Sequence, residues 1–177
     1  YMCQESIINY LDSETAEYID FDTIQDFIKR NNVEKLSKHN AELLDSLLKD
    51  IKICDPAIGS GAFPMGILSQ IVKSRSLLCS LTEKKIDKYD LKRYAIINSI
   101  YGVDLDTGAV EITKLRLFLS LIVDEKDYDS IEPLPNLDFH IMQGNSLIEE
   151  FYGITLDINK KTVQGEIFED VNKIDEL

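Results

Sequence analysis

Residues 51–68 read IKICDPAIGSGAFPMGIL, and no other stretch narrows the possible folds as much. The short apolar run at 51–54 suits a buried parallel strand. It runs into an acid, a proline and two closely spaced glycines, after which a helical pattern resumes over residues 63–72. Gly59 and Gly61 permit a tight turn that brings backbone amides close to a ligand at a helix N-terminus.

The rest of the chain repeats the alternation. Residues 3–12 carry Ile7, Ile8 and Leu11 at helical spacing. Residues 14–30 continue as a polar-rich helix, with Asn31 and Asn32 as its stop. Residues 40–50 form a third helix with Leu43, Leu44, Leu47 and Leu48 on one stripe. Residues 94–103 end in INSIYGV, a second strand that stops at the acid Asp104. GAVEITKLRLFLSLIV at 108–123 is apolar around most of its circumference, which predicts a helix buried against a sheet. A polar loop with Pro133 and Pro135 leads to a third strand at 139–142, ending in QGNSL. The stretch ITLDINKKTVQGEIFED reads either as a hairpin turning near Asn159 or as the edge of a disordered insertion.

Strand, helix, strand, helix, strand predicts parallel crossovers in an open α/β sheet. Ligands of such sheets bind at the carboxyl ends of the strands. DPAIGSG, GVDLD and QGNSL all fall there.

The residue types at those ends select among ligands. Asp55 sits at the lip of the first strand, where a fixed negative charge repels a pyrophosphate and attracts a cation such as the amino group of S-adenosylmethionine, whose sulfonium is also positive. Pro64 takes the place of the third glycine of the dinucleotide fingerprint, and no Gly-Lys-Ser/Thr follows. Asp104 closes the second strand, where an acid accepts hydrogen bonds from a ribose diol. Asn145, after the third strand, is placed to read an adenine edge. Each has a plainer alternative. Asp55 caps the following helix, Asp104 is a solvated strand-end acid with Asp106 competing for the ribose, and Asn145 holds a turn. Phe63 is a lid over the ligand or plain core.

Charge and composition narrow the partners. The 32 acids and 19 lysines and arginines leave a net charge of −13, a poor balance for gripping phosphates. The bases gathered at 73–93 are interleaved with Glu83, Asp87 and Asp90, as on a solvated helical face. Cys3, Cys54 and Cys79 lack paired spacing and read as free thiols in a reducing cytoplasm. His39 and His140 stand apart, so no metal site is expected. Nothing in the chain reads as a membrane span.

DPAIGSGAF resembles motif I of DNA adenine methyltransferases, usually written Asp-Pro-Ala-Cys-Gly-Ser-Gly-Ala/Thr-Phe. IYGVDLDTGAVEITKLRLFLSL resembles their motif II strand and helix, and LPNLDFHIMQGNSL their motif III region. With its long charged stretch between the first two motifs, the chain is similar to the large type IIG-like proteins, which fuse an endonuclease, a methyltransferase and a target-recognition domain. The resemblance covers about residues 50–150. It implies an incomplete Rossmann-like methyltransferase fold dependent on S-adenosylmethionine, with an open, mostly parallel sheet. Residues 1–50 are then a helical segment packing on the core, and residues 51–177 a partial cofactor-binding domain.

By the same resemblance, Asp55 meets the methionine amino group and Asp104 the ribose hydroxyls. Leu105 packs on the adenine face and Asn145 reads its edge, with Pro56, Ala57, Gly59, Gly61, Phe63 and Ser146 completing the cofactor-binding set. Ile58 replaces the usual Cys, and Asn145 stands where Asp is commoner. The implied reaction is methyl transfer to the exocyclic amine of an adenine flipped from double-stranded DNA. Its Asn/Asp-Pro-Pro-Tyr/Phe loop has no match, because Pro56, Pro64, Pro133 and Pro135 are the only prolines and no two are adjacent. The Tyr-Thr-Pro signature expected ahead of the first helix is missing too. No catalytic residue is therefore assigned. The expectation is a piece of a cytoplasmic restriction–modification polypeptide, inactive by itself, with DNA held mostly by regions outside it. Rival readings are a methyltransferase for a non-DNA substrate, a dinucleotide-dependent oxidoreductase, and a non-catalytic subunit with a vestigial pocket.

Overall fold

Short polar residues define most helix ends in the computed structural model, which describes residues 1–123, 136–148, 150–151 and 154–155. Helix α1 (Met2–Thr15) is followed by α2 (Phe21–Arg30) rather than by a continuous helix over residues 14–30. A straight helix turns about 100° per residue, which would set Ile24 and Ile28 roughly a quarter turn from the face carrying Ile7 and Leu11. The break at residues 16–20 lets both sets reach one core, where all four are fully buried. Asn31 ends α2 as expected: it adopts φ 58° and donates its N–H to the Phe27 carbonyl at 3.0 Å. Helix α3 (Lys38–Asp50) starts at Ser37, whose Oγ accepts from the Asn40 amide at 3.1 Å.

The sheet follows. Strand β1 (Ile53–Asp55) leads into α4 (Ala62–Leu81) and α5 (Lys88–Asn98). Strand β2 (Ile100–Asp104) then gives α6 (Thr107–Ile122), and β3 (Ile141–Gln143) closes the series. The strands lie in the order β1-β2-β3, all parallel, so the molecule is α/β with a small parallel sheet and flanking helices. Asp55 pairs with Gly102, and Asp104 with Gln143, which brings the strands' carboxyl ends to one rim. The polar loop with Pro133 and Pro135 lies outside the described residues.

Tyr1–Ser146 form one compact unit. Helix α4 is its axis, packing against α1, α2, α3, α5 and β1 and burying Ile67, Leu68, Ile71 and Leu78. Helices and sheet thus share one hydrophobic core. In the second unit, Leu147–Leu177, strands β4 (Glu150–Phe151) and β5 (Ile154–Thr155) pair antiparallel. The turn expected near Asn159 lies outside the described residues.

Two further expectations need correction. Helix α6 buries Val110, Thr113, Leu117 and Leu121 but leaves Ile112, Leu115 and Leu119 about half exposed. Its inner stripe lies against β2, β3 and α5, and no described element covers the outer one. Arg75, grouped by sequence with the solvated bases, is buried in the middle of α4. Its Nε donates to Asp45 Oδ1 at 2.9 Å, with side chains only 5% and 9% exposed. Lys84 approaches the same carboxylate at 3.8 Å, and the guanidinium lies 5.8 Å from the Tyr94 ring centroid. The cluster links α3, α4 and α5.

Removing one partner of such a pair strands the other charge in the core. Asp45→Ala is expected to cost about 3–5 kcal/mol of unfolding free energy. Asp26→Ala, which breaks the surface pairs with Arg30 and Lys35, is expected to cost about 1 kcal/mol or less. Urea denaturation of both variants measures the difference, and equal losses would contradict this account of the core.

Candidate functional site

The rim is bound together by hydrogen bonds that run between its three segments. Asp104 is the last residue of β2, and its Oδ2 accepts the Gly59 N–H at 2.8 Å while Oδ1 accepts the Asp106 N–H at 2.9 Å. The Ile58 N–H donates to the Val103 carbonyl at 2.9 Å, which adds a second tie between the glycine loop and β2. From the third segment, the Gly144 N–H donates to the Asp104 carbonyl at 2.9 Å, and Gln143 Nε2 donates to the Leu105 carbonyl at 3.1 Å. Ser146 Oγ donates to the Pro56 carbonyl at 2.8 Å and so joins the third segment to the first. DPAIGSG, GVDLD and QGNSL, separate in sequence, form one bonded rim.

The glycine loop has the conformation its residues permit. Gly59 and Gly61 take φ of 54° and 78°, in the left-handed region that side chains disfavour. Gly61 is the N-cap of α4 and provides no side-chain cap. The first turn of α4 holds no acid, and its leading N–H groups have no partner within the helix. Asp55 does not cap this helix. Its Oδ1 accepts the Ala57 N–H at 3.1 Å in a local turn ahead of the glycines, which leaves most of the carboxylate's acceptor capacity unused. The α6 cap is Asp106, whose Oδ1 accepts the Gly108 N–H at 2.9 Å.

A cleft of about 590 Å³ runs along this loop, lined by Asp55, Pro56, Ala57, Gly59, Ala62 and Phe63 with Met2, Ser6, Cys54, Ile58 and Ser60. Its size falls in the range of cofactor sites. Phe63 packs against the core and lines the cleft. Leu105 stands 68% exposed just beyond β2, unusual for so large an apolar side chain beside a strand end. Asn145 and Ser146 are exposed after β3. A second cleft of about 580 Å³ lies along α4 and α5 among Lys73, Lys88, Lys92 and four serines. None of the strand-end residues lines it.

Sequence reading missed Thr113 and Arg116 of α6, which hold the loop from behind. Thr113 Oγ1 donates to the Gly59 carbonyl at 2.9 Å, and Arg116 Nη1 to the Ser60 carbonyl at 2.8 Å. Nothing in the sequence set them apart, because α6 also carries Glu111, Lys114 and Ser120.

The backbone N–H groups of Asp106 and Gly59 hold the Asp104 carboxyl below the usual carboxylate range. The unfolded chain therefore binds more protons in acid. The contribution of Asp104 to stability is complete above the unfolded value of about 4 and is lost as pH falls through the lower folded one. Asp138 is also held low, by the hydrogen bond and charge of the Lys114 ammonium, and contributes its own share. Asp104→Asn is expected to flatten part of the fall in thermal midpoint below about pH 4. Identical pH profiles for wild type and variant would contradict the bonding described here.

Comparison with known proteins adds a relationship that geometry alone does not supply. The chain is 34% identical over 134 residues to a candidate type II restriction enzyme and methyltransferase of Methanocaldococcus jannaschii, an alignment covering 73% of this chain and 11% of that protein. It is 30% identical over 173 residues to a type II restriction enzyme and methyltransferase of Escherichia coli, covering 86% of this chain and 16% of that protein. The chain thus spans less than a fifth of the length of the curated relatives it matches. No family model matches it, and no solved structure does. No helix among the described residues is long and apolar enough to cross a membrane. Its relatives carry the names of restriction enzymes and methyltransferases together, and this relates the chain to restriction–modification systems.

Proposed function

We propose that the rim of β1, β2 and β3 binds S-adenosylmethionine in a Rossmann-like sheet, and that the chain is the cofactor-binding part of an adenine-specific DNA methyltransferase within a restriction–modification polypeptide. One observation carries the reading. The Asp55 carboxylate and the uncapped N-terminus of α4 flank the same cleft. That pairing of charges suits an amino acid end, with the ammonium at Asp55 and the carboxylate toward the helix amides. A pyrophosphate placed there would face Asp55.

Asp104, Leu105, Asn145 and Ser146 do not line that cleft but stand on the same bonded rim. The Asp104 carboxylate accepts from the Gly59 and Asp106 amides, and as a group with about four acceptor sites it keeps capacity for a ribose hydroxyl. Leu105 presents an apolar surface beside it for the adenine face. Asn145 and Ser146 complete the rim on the side of the adenine edge. When bound, the cofactor supplies an activated methyl group. This chain's residues orient it by charge and hydrogen bonding. The oxygens that hold the target amine, and most of the grip on double-stranded DNA, belong to other parts of the polypeptide, in keeping with the charge of −13.

Thermal shift of the full-length protein tests the ligand. S-Adenosylhomocysteine is expected to raise the midpoint and NAD to leave it unchanged. Asp55→Ala removes a charge-assisted contact and is expected to weaken S-adenosylhomocysteine binding by about 10- to 100-fold. Transfer of labelled methyl from S-adenosylmethionine to adenine in duplex DNA tests the reaction. Stabilisation by NAD alone, or labelling confined to a non-DNA substrate, would overturn the proposal.

A further inference from the structure

We infer that Thr113 and Arg116, one turn apart on α6, are positioning residues that set the peptide orientation of the Gly59–Gly61 loop and thereby the affinity of the site for the amino acid end of its ligand. The inference rests on the site reading above and assigns work to residues outside the cleft, since no residue of α6 lines it.

The behaviour of other threonines sets the contrast. Thr15 and Thr82 are also buried, and each donates its hydroxyl to the carbonyl four residues back in its own helix, at 2.7 and 2.9 Å. That is the default for a threonine in or at the end of a helix. Thr113 is fully buried yet donates across the molecule to the Gly59 carbonyl. It sits so close to the loop that a Cβ on Gly61 would lie 2.8 Å from its hydroxyl oxygen. Arg116, three residues on, donates to the next carbonyl of the loop, that of Ser60, and approaches Ser60 Oγ at 3.3 Å.

Two consecutive carbonyls are thus tied to α6. In a trans peptide unit the C=O and the following N–H point in opposite directions. Tying the Gly59 carbonyl to α6 therefore turns the Ser60 N–H away from that helix, and Ser60 is one of the residues lining the cleft. Glycine permits the opposite peptide orientation at little cost, and that flip would point a carbonyl away from α6, where an incoming carboxylate meets partial negative charge. The Gly59 N–H is already held by Asp104, so the Thr113 bond completes the restraint at both ends of one residue.

Calorimetry of the full-length protein with two ligands isolates the effect. S-Adenosylhomocysteine carries the amino acid end, and 5′-methylthioadenosine shares the nucleoside and thioether but lacks it. Thr113→Val is expected to weaken S-adenosylhomocysteine about five- to tenfold. Binding of 5′-methylthioadenosine should stay within about twofold, and Thr113→Ser should restore the first ligand. Arg116→Gln is expected to act in the same direction. Because Arg116 is exposed, that variant keeps the wild-type unfolding midpoint and decides the matter if Thr113→Val does not fold. Equal weakening of both ligands, or none, in variants of a protein that binds both would overturn this inference alone. A wild-type protein that binds neither would overturn the site reading and this inference with it.

Discussion

The hydrogen bond from the Gly59 amide to the Asp104 carboxylate, 2.8 Å long and reaching from the loop after β1 to the end of β2, is the constraint on which the rim depends. Parallel strands leave their carboxyl ends as separate loops, and nothing in a three-stranded sheet by itself obliges those loops to keep a fixed spacing. Here the carboxylate fixes the glycine loop, its own backbone carbonyl receives Gly144, and its second oxygen receives Asp106. One residue thereby orders three segments. Charge-assisted bonds of this kind are the strong ones, and they leave the carboxylate ionised as well as ordered.

Packing beneath the rim serves the same end. Ile58 is buried over β2, and a Cβ at Gly102 would collide with it, so the glycine in mid-strand makes room for the isoleucine. The resemblance to adenine methyltransferases left Ile58 as a departure from the usual Cys. In the fold it is a core side chain that pins the loop down while the Ile58 N–H ties it to Val103. The buried Asp45–Arg75 pair plays a comparable part on the helical side, linking α3 and α4 at a point where sequence suggested only surface charge.

What was legible in the sequence was local. The Asp-Pro and glycine pattern marked the strand-to-loop transition, Asn31 marked a helix end by its tolerance of left-handed backbone, and a polar residue stands at the start of α3, α5 and α6. The three strand ends were found because each couples an apolar run to polar turn residues. What stayed hidden depended on distant partners. The break between α1 and α2 follows from the need of Ile7 and Ile24 to share a core, which periodicity within either segment does not reveal. Arg75 looked like one base among many until α3 brought Asp45 to it. Thr113 and Arg116 acquire a role only because the crossover lays α6 behind a loop more than fifty residues earlier. The outer apolar stripe of α6 was counted as buried because composition does not say how many neighbours a helix has.

The central claim is electrostatic and geometric together: an anionic lip and a helix N-terminus on one cleft select a ligand with a cationic amine and a carboxylate. A crystal structure of the full-length protein with S-adenosylhomocysteine tests it most directly. The account predicts the ligand's ammonium within hydrogen-bond distance of the Asp55 carboxylate and its ribose hydroxyls on Asp104. Density for the ligand elsewhere in the molecule, or in this cleft with the ammonium turned away from Asp55, would contradict it.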